Sequence, residues 1–396
     1  MKRTGRRFNR VVVIILDGVG VGELPDAEYF GDEGSDSLGN VANARGKLYL
    51  PHLARRGLGR LSPLPGLENV EVTGGYGKMA MTAAGKDSTS GHWEIAGLVL
   101  KENFPVFPGG FPKEVVENLK AATGYEFIGN RAASGTAIVA ELGGEHLRTG
   151  ALILYTSADS VCQIAAHTDA VPLEELYGIG EKAREVMTGP YCVGRIIVRP
   201  FAGEPGSFRR LNEARRDYSF APPAPTLLDE LSARGFDVSG VGKVDDVFAG
   251  RGFTRCRRTK DNADGISAIK SELSGDFEGL VLANLNDTDT VFGHRNDAEG
   301  YARALERFDE ALPALEREMD AKDLLLIVSD HGNDPTTPST DHSREYVPLL
   351  AWHRRFRGAV PLGTRATLAD AGQTVAGNFG VGPLAAGTSF LNEIQN

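Results

Sequence analysis

Six residues of the kinds that bind divalent cations stand just beyond short apolar runs. Asp17 follows Val11–Leu16, Asp289 and His294 follow Leu280–Leu285, and Asp330 and His331 follow Leu324–Ser329, with His342 eleven residues after His331. Carboxylate oxygens and imidazole nitrogens suit hard or borderline ions such as magnesium, manganese or zinc, and six ligands suffice for two of them. Taken singly, an Asp or His in a loop is most often a solvated surface residue. Their joint occurrence behind three apolar runs, and a polar stretch Asp330-His331-Gly332-Asn333-Asp334 with no packing purpose, point instead to a metal centre. His52, His92, His146, His167 and His353 carry no such pattern and read for the most part as ordinary histidines.

A nucleophile is available in Gly85-Lys86-Asp87-Ser88-Thr89-Ser90-Gly91-His92-Trp93-Glu94. Asp87 or Ser88 caps a helix starting there, whose free N–H groups and dipole would hold a phosphate carried on a hydroxyl. A neutral hydroxyl is a weak nucleophile, and metal coordination is what would activate it for in-line phosphoryl displacement. The bland alternative is an ordinary capped helix. A phosphate-binding loop of the nucleotide-hydrolase type is excluded, because Gly85-Lys86 is followed by Asp87 and position 80 is not glycine. Gly18, Gly20 and Gly22 have GxGxG spacing with Pro25 behind them, which excludes a dinucleotide fingerprint.

Such a site has to be assembled by a scaffold. Short apolar runs alternate with helix-length amphipathic stretches, which predicts an α/β fold with a mostly parallel sheet flanked by helices. Val11–Leu16, Val238–Val241, Leu280–Leu285, Leu324–Ser329 and Val347–Trp352 read as buried strands. Asp297–Met319 is the clearest helix, with Tyr301, Leu305, Phe308, Leu312 and Leu315 on one stripe, and Pro225–Arg234, Ala263–Leu273 and Leu368–Phe379 read as others. In open α/β sheets ligands bind beyond the carboxyl ends of the strands, so the acidic and imidazole clusters converge on one site. The rhythm breaks between the Pro- and Gly-rich Phe104–Pro112 and the Arg- and Pro-rich Arg209–Pro225. Residues 101–218, with helices at Lys113–Ala122, Thr136–Leu147 and Leu173–Met187 and strands at Leu152–Tyr155 and Arg195–Val198, read as a smaller α/β domain inserted into a core of 1–100 and 219–396.

Composition narrows the function classes. At 396 residues with 41% hydrophobic and 24% charged residues, the chain is an ordinary globular protein. A net charge of -10 disfavours nucleic acid as a partner. The basic start (Lys2, Arg3, Arg6, Arg7, Arg10) precedes an apolar run too short for a secretory signal, and no stretch is long enough to span a membrane, so a cytoplasmic protein is expected. Cys162, Cys192 and Cys256 form neither a zinc nor a redox pattern, and none stands in the Cys-x-Pro-x-Arg context of sulfatases.

Together, LDGVGVGELPDA, GKDSTSGHWEIAG, YTSADSVCQIAAH, GKVDDVF, FGHRND, SDHGNDPTTPSTDHSREYVPLL and the closing GTSFLNE resemble bacterial phosphopentomutases over nearly the whole chain, and more loosely the two-metal core of the alkaline phosphatase superfamily. The resemblance implies an alkaline-phosphatase-like core carrying an inserted cap domain. It implies one metal on Asp17, Asp330 and His331, the other on Asp289, His294 and His342, and a phosphorylated nucleophile at Ser88. Family members often have threonine there, and Thr89 stays open as the alternative. Ser157, Asp159, Arg195, Arg199 and Lys243 are the implied substrate contacts, against a bland reading as solvated or salt-bridged charges. The implied reaction converts α-D-ribose 1-phosphate, or its 2-deoxy counterpart, into the 5-phosphate through a 1,5-bisphosphate that also serves as activator. Manganese, with magnesium as the alternative, and a monomer acting on small pentose phosphates are expected. A cofactor-independent phosphoglycerate mutase would be longer with a different cap, a phosphatase would need no bisphosphate, and a binding protein on a dead enzyme fold would have lost a ligand, whereas all six are present.

Overall fold

A computed structural model describes residues 7–68, 70–157 and 160–394. The chain divides into two compact units, Met1–Glu102 with Pro222–Asn396, and Asn103–Ala221. In chain order the strands are β1 (Arg10–Leu16), β2 (Gly74–Met79), β3 (Phe127–Ala132), β4 (Leu152–Thr156), β5 (Val161–His167), β6 (Arg195–Ala202), β7 (Arg209–Arg210), β8 (Arg216–Ser219), β9 (Asp237–Val241), β10 (Arg255–Arg257), β11 (Gly279–Leu285), β12 (Asp323–Val328), β13 (Val347–Trp352) and β14 (Ala359–Arg365).

In the larger unit eight strands form one sheet in the order β10-β9-β11-β1-β12-β13-β2-β14. β1 pairs in parallel with both β11 and β12, β9 with β10 and β11, and β2 with β14; only β13 runs against its neighbours. Every residue of β1, β11 and β12 is buried, because both faces of the sheet are covered. Val12, Ile14 and Leu16 pack with Leu38, Leu53, Tyr301 and Phe308 of helices Ser37–Arg45, Pro51–Arg55 and Ala298–Glu318. Side chains alternate across a strand, so Val11, Val13 and Ile15 face the other layer, where helices Ser88–Ile95, Leu227–Ala233 and Ala369–Phe379 lie. A fully buried Val or Ile contributes about 1.5–3 kcal/mol, which is why the central strands are continuous apolar runs.

The five expected core strands are present to within one residue and the four helices to within two. β2 and β14 carry no apolar run: Gly74-Gly75-Tyr76-Gly77-Lys78-Met79 is held by backbone pairing with β13, and β14 tolerates Pro361 because it is an edge strand with a bulge between Pro361 and Gly363. The smaller unit has its own sheet, β3-β4-β5-β6-β7 with β8 beside β6. Its two faces are filled by separate clusters, one around Leu119, Leu154, Ile164 and Val198 and the other around Ile138, Tyr155 and Phe201. Among the described residues no helix is long and apolar enough to cross a membrane.

Candidate metal centre

The parallel sheet delivers the acidic and imidazole groups to one edge. β1 is in register with β12 through Ile15 and Val328, so Asp17 and Asp330, each two residues further on, come out level. β11 reaches the same edge through Leu16 and Leu285, and leads into a wide π-type turn, Asp287–Phe292, that carries Asp289. The following 3-10 turn Gly293–Arg295 carries His294. His342 lies in the loop entering β13, whose opposite direction brings its amino end to this edge. Gly18 takes φ of +76°, and a Cβ there would stand 3.0 Å from Asp289 Cβ, so the chain turns behind Asp17 only because no side chain intervenes.

Among the described residues two triads of ligand atoms result, Asp17 with Asp330 and His331, and Asp289 with His331 and His342, each with all its atoms within 4.8 Å of one another. The sequence-based division placed His294 with the second ion. His294 stands outside both triads but next to one, its Nε2 3.5 Å from Asp289 Oδ2. His331 is common to both, with Nε2 3.4 Å from Asp17 Oδ1 and 3.2 Å from Asp330 Oδ2, and its ring 3.9 Å from that of His342. His342 Nε2 lies 3.3 Å from Asp289 Oδ1.

Ring orientation is set from behind. His331 Nδ1 is 3.0 Å from the Gly332 carbonyl and His294 Nδ1 is 2.7 Å from that of Thr340. A carbonyl oxygen only accepts, so in both rings Nδ1 carries a hydrogen and Nε2 is the atom that faces the acids, the nitrogen a bound cation would take.

Charges this close disturb one another. Burial raises the Asp17 pKa, and the Asp330 carboxylate raises it further. Burial, the largest single influence, opposes ionisation of Asp289 and Asp330 too, but His342, His294 and Lys243 together overcome it at Asp289, and His331, His92 and Lys243 at Asp330, holding both carboxyls below their ordinary range. Burial lowers the His342 pKa, yet Asp289 raises it more, up to about 9. Asp17 Oδ1 and Asp330 Oδ2 are enclosed with no hydrogen-bond partner among the described residues, a state costing about 1–3 kcal/mol per group. A divalent cation removes both deficits, and the donor set of carboxylate oxygen and imidazole nitrogen fits one.

Ser88 opens the helix Ser88–Ile95, which Asp87 caps by accepting from Ser90 N at 3.1 Å. Its Oγ is 3.2 Å from His331 Nε2. Gly91 allows this approach, since a Cβ there would fall 2.2 Å from the Asp330 carbonyl oxygen. Glu94 fixes the far end, accepting from Ala83 N at 2.7 Å and Leu368 N at 3.0 Å. Lys243, just past β9, places Nζ 2.8 Å from Asp17 Oδ2.

Of the expected contacts in the smaller unit, Asp159 lies outside the described residues. Ser157 directly follows β4, at the edge where Arg195 begins β6. Arg195 is 3.7 Å from Asp217, and Arg199 donates to Gln163 Oε1 at 2.6 Å. Burial lowers the Arg199 pKa, and Arg215 and Arg210 add to this, all near the enclosed Tyr155 hydroxyl, which has no hydrogen-bond partner among the described residues. Arg210 went unnoticed in sequence, one arginine among several in Arg209–Arg216. Also missed were buried groups behind the triads: Asn284 donates to Asp17 Oδ2 at 2.8 Å, Asn333 to Asp289 Oδ1 at 2.8 Å, and His92 sits beside Asp330. An asparagine inside the apolar run of β11 was the available signal.

A model of the metalloenzyme superfamily matches residues 9–383. The chain is 52% identical to the phosphopentomutase of Carboxydothermus hydrogenoformans over 98% of its own length and all of that protein. It is 51% identical to that of Caldanaerobacter subterraneus, covering 98% of each chain. Against the phosphopentomutase of Thermotoga maritima identity is 53%, over 97% of this chain and 99% of the other. A likeness this extensive, in a chain whose sheet edge gathers a divalent-metal donor set, is that of a metal-dependent mutase, and the chain belongs to the phosphopentomutase family of the metalloenzyme superfamily.

Proposed function

We propose that the protein interconverts α-D-ribose 1-phosphate, or 2-deoxyribose 1-phosphate, and the corresponding 5-phosphate by way of a phosphorylated Ser88. The observation that carries this reading is the Ser88 hydroxyl 3.2 Å from His331 Nε2, beside two acidic triads. That contact favours Ser88 over Thr89 as the group phosphorylated. Asp17, Asp330 and His331 would hold one cation, and Asp289, His342 and His294 the other, with His331 near both; manganese is the ion expected. When bound, the pair supplies charge stabilisation for a transferring phosphoryl group and lowers the pKa of the serine hydroxyl.

In the first half-reaction the free hydroxyl of the sugar phosphate attacks the phosphorus on Ser88, the bond to Ser88 Oγ breaks, and the sugar's hydroxyl proton is transferred to the departing Ser88 oxygen as a 1,5-bisphosphate forms. In the second, Ser88 Oγ attacks the other phosphoryl group, the bond from that phosphorus to the sugar oxygen breaks, and the serine's proton passes to the departing sugar oxygen. The free N–H groups at the start of helix Ser88–Ile95 and the Lys243 ammonium favour the phosphoryl charge throughout. In the smaller unit, Arg195 and Arg199 from the sequence reading, joined by Arg210, form a face suited to a sugar phosphate, and Ser157 and Asp159 remain proposed contacts there. A trace of sugar 1,5-bisphosphate is the expected activator, because it loads Ser88. We take the working form to be a cytoplasmic monomer.

The test supplies ribose 1-phosphate, manganese and a trace of bisphosphate to wild type and Ser88→Ala and follows ribose 5-phosphate and inorganic phosphate. Wild type should make the 5-phosphate without stoichiometric phosphate release, and the variant should be inactive. Undiminished turnover in the variant places the nucleophile elsewhere, and phosphate release matching substrate loss makes the protein a phosphatase.

A further inference from the structure

His92 is fully buried, sits one helical turn after Ser88, and is part of neither ligand triad. Its Nδ1 is 2.8 Å from the Ser88 carbonyl oxygen and 3.0 Å from Asp330 Oδ2. Both neighbours are acceptors, so Nδ1 carries the hydrogen, directed at the Ser88 carbonyl and leaving Asp330 Oδ2 unbonded. Across the ring, Nε2 lies 3.3 Å from Asn284 Nδ2, and the same Nδ2 lies 2.8 Å from Asp17 Oδ2. The Asp17 carboxylate requires a donor at that point, which fixes the orientation of the amide. The same amide nitrogen thus reaches both Asp17 and the His92 ring, and the ring is in contact at both nitrogens.

We propose that His92 is a positioning residue, which ties the first turn of the nucleophile's helix to the Asn284–Asp17 arm on one side and rests against Asp330 on the other. The inference builds on the assignment of Ser88 as the phosphorylated group and goes beyond it. The two carboxylates of one triad, Asp17 and Asp330, and the backbone of Ser88 come from three separate elements: the ends of β1 and β12, and the helix after β2. His92 touches the Asn284 bridge, Asp330 and Ser88 at once, so it fixes the distance from the hydroxyl to the cations' ligands. A side chain that only filled the space would take the ring contact from the Asn284 amide at a residue 2% exposed.

Three variants test this. His92→Asn keeps an amide nitrogen near the place of Nδ1, His92→Gln carries its amide about one bond too far, and His92→Leu fills the volume with no donor. Gln and Leu should lower kcat about 10–100-fold, as loss of an outer partner of metal ligands does, with KM held within about twofold. They should also weaken manganese binding to the substrate-free protein by a similar factor in titration calorimetry. Asn, which restores the contact with the Ser88 carbonyl and Asp330 but not the one with Asn284, should recover part of both losses. Leu equal to or better than Asn, or Asn no better than Gln, overturns the inference in favour of packing alone. Should Leu fail to fold, the comparison of Asn with Gln decides. Ser88→Ala is assayed in the same series: its undiminished turnover is the failure of the nucleophile assignment. Equal Asn and Gln variants beside an inactive Ser88→Ala are the failure of this inference.

Discussion

Gly91→Ala tests how closely the nucleophile's helix must approach the metal ligands. The added methyl would lie 2.2 Å from the Asp330 carbonyl oxygen and 2.8 Å from its Cβ, where real Cβ atoms essentially never come within 3.0 Å. The helix therefore has to withdraw by about 0.8 Å, or the end of β12 has to yield, and both are backbone. Withdrawal is resisted at the far end by the hydrogen bonds to Glu94 and by Trp93 Nε1 donating to the Val247 carbonyl at 3.0 Å, so the strain falls on the Ser88 end. Misplacing reacting groups by about 1 Å costs on the order of 100-fold in rate, or about 2.7 kcal/mol of barrier. Overpacking also costs about 1–3 kcal/mol of stability, and each kcal/mol is worth roughly 2–4 °C in a domain near this size. The assay is kcat for conversion of the 1-phosphate to the 5-phosphate, with a thermal melt and a manganese titration on the same preparation. The expected result is a kcat roughly 10–100-fold lower, with a modestly lower midpoint. Turnover within twofold of wild type at an unchanged midpoint refutes the claim that the nucleophile's helix has to be held against Asp330.

Other consequences follow from the charges. With no cation bound, Asp289 holds the His342 ring protonated up to about pH 9, so an incoming ion has to expel that proton. Manganese affinity should therefore rise up to about tenfold per pH unit from about pH 7 and level off above about pH 9. Calorimetry in two buffers of different ionisation enthalpy should show proton release, and a flat affinity over that window contradicts the assignment. Chelation should lower the melting midpoint, since cations at about 1,000 times their dissociation constant add ~4 kcal/mol to the folded state. That gain should shrink sharply in Asp17→Asn, which removes an unpartnered oxygen from the first triad; an undiminished gain would show that the ion binds elsewhere.

Much of the core was legible in sequence because its cause is local. β1, β11 and β12 are buried on both faces, so each is written as an unbroken apolar run, and the acids behind them are conspicuous because nothing apolar continues the pattern. Parallel direction and the rule for open sheets were enough to expect Asp17, Asp289, Asp330 and His331 at one edge. Pairing alone decided the rest. β2 is half glycine and exists through its backbone bonds to β13. The sharing of His331 by two triads depends on the register of β1 with β12 and on the loop entering β13. His92 and Asn284 look unremarkable in the chain, 192 residues apart. Their role arises only where a glycine at 91 lets a helix close on a strand end and burial leaves their polar atoms no water, so that each must find its partner in the fold.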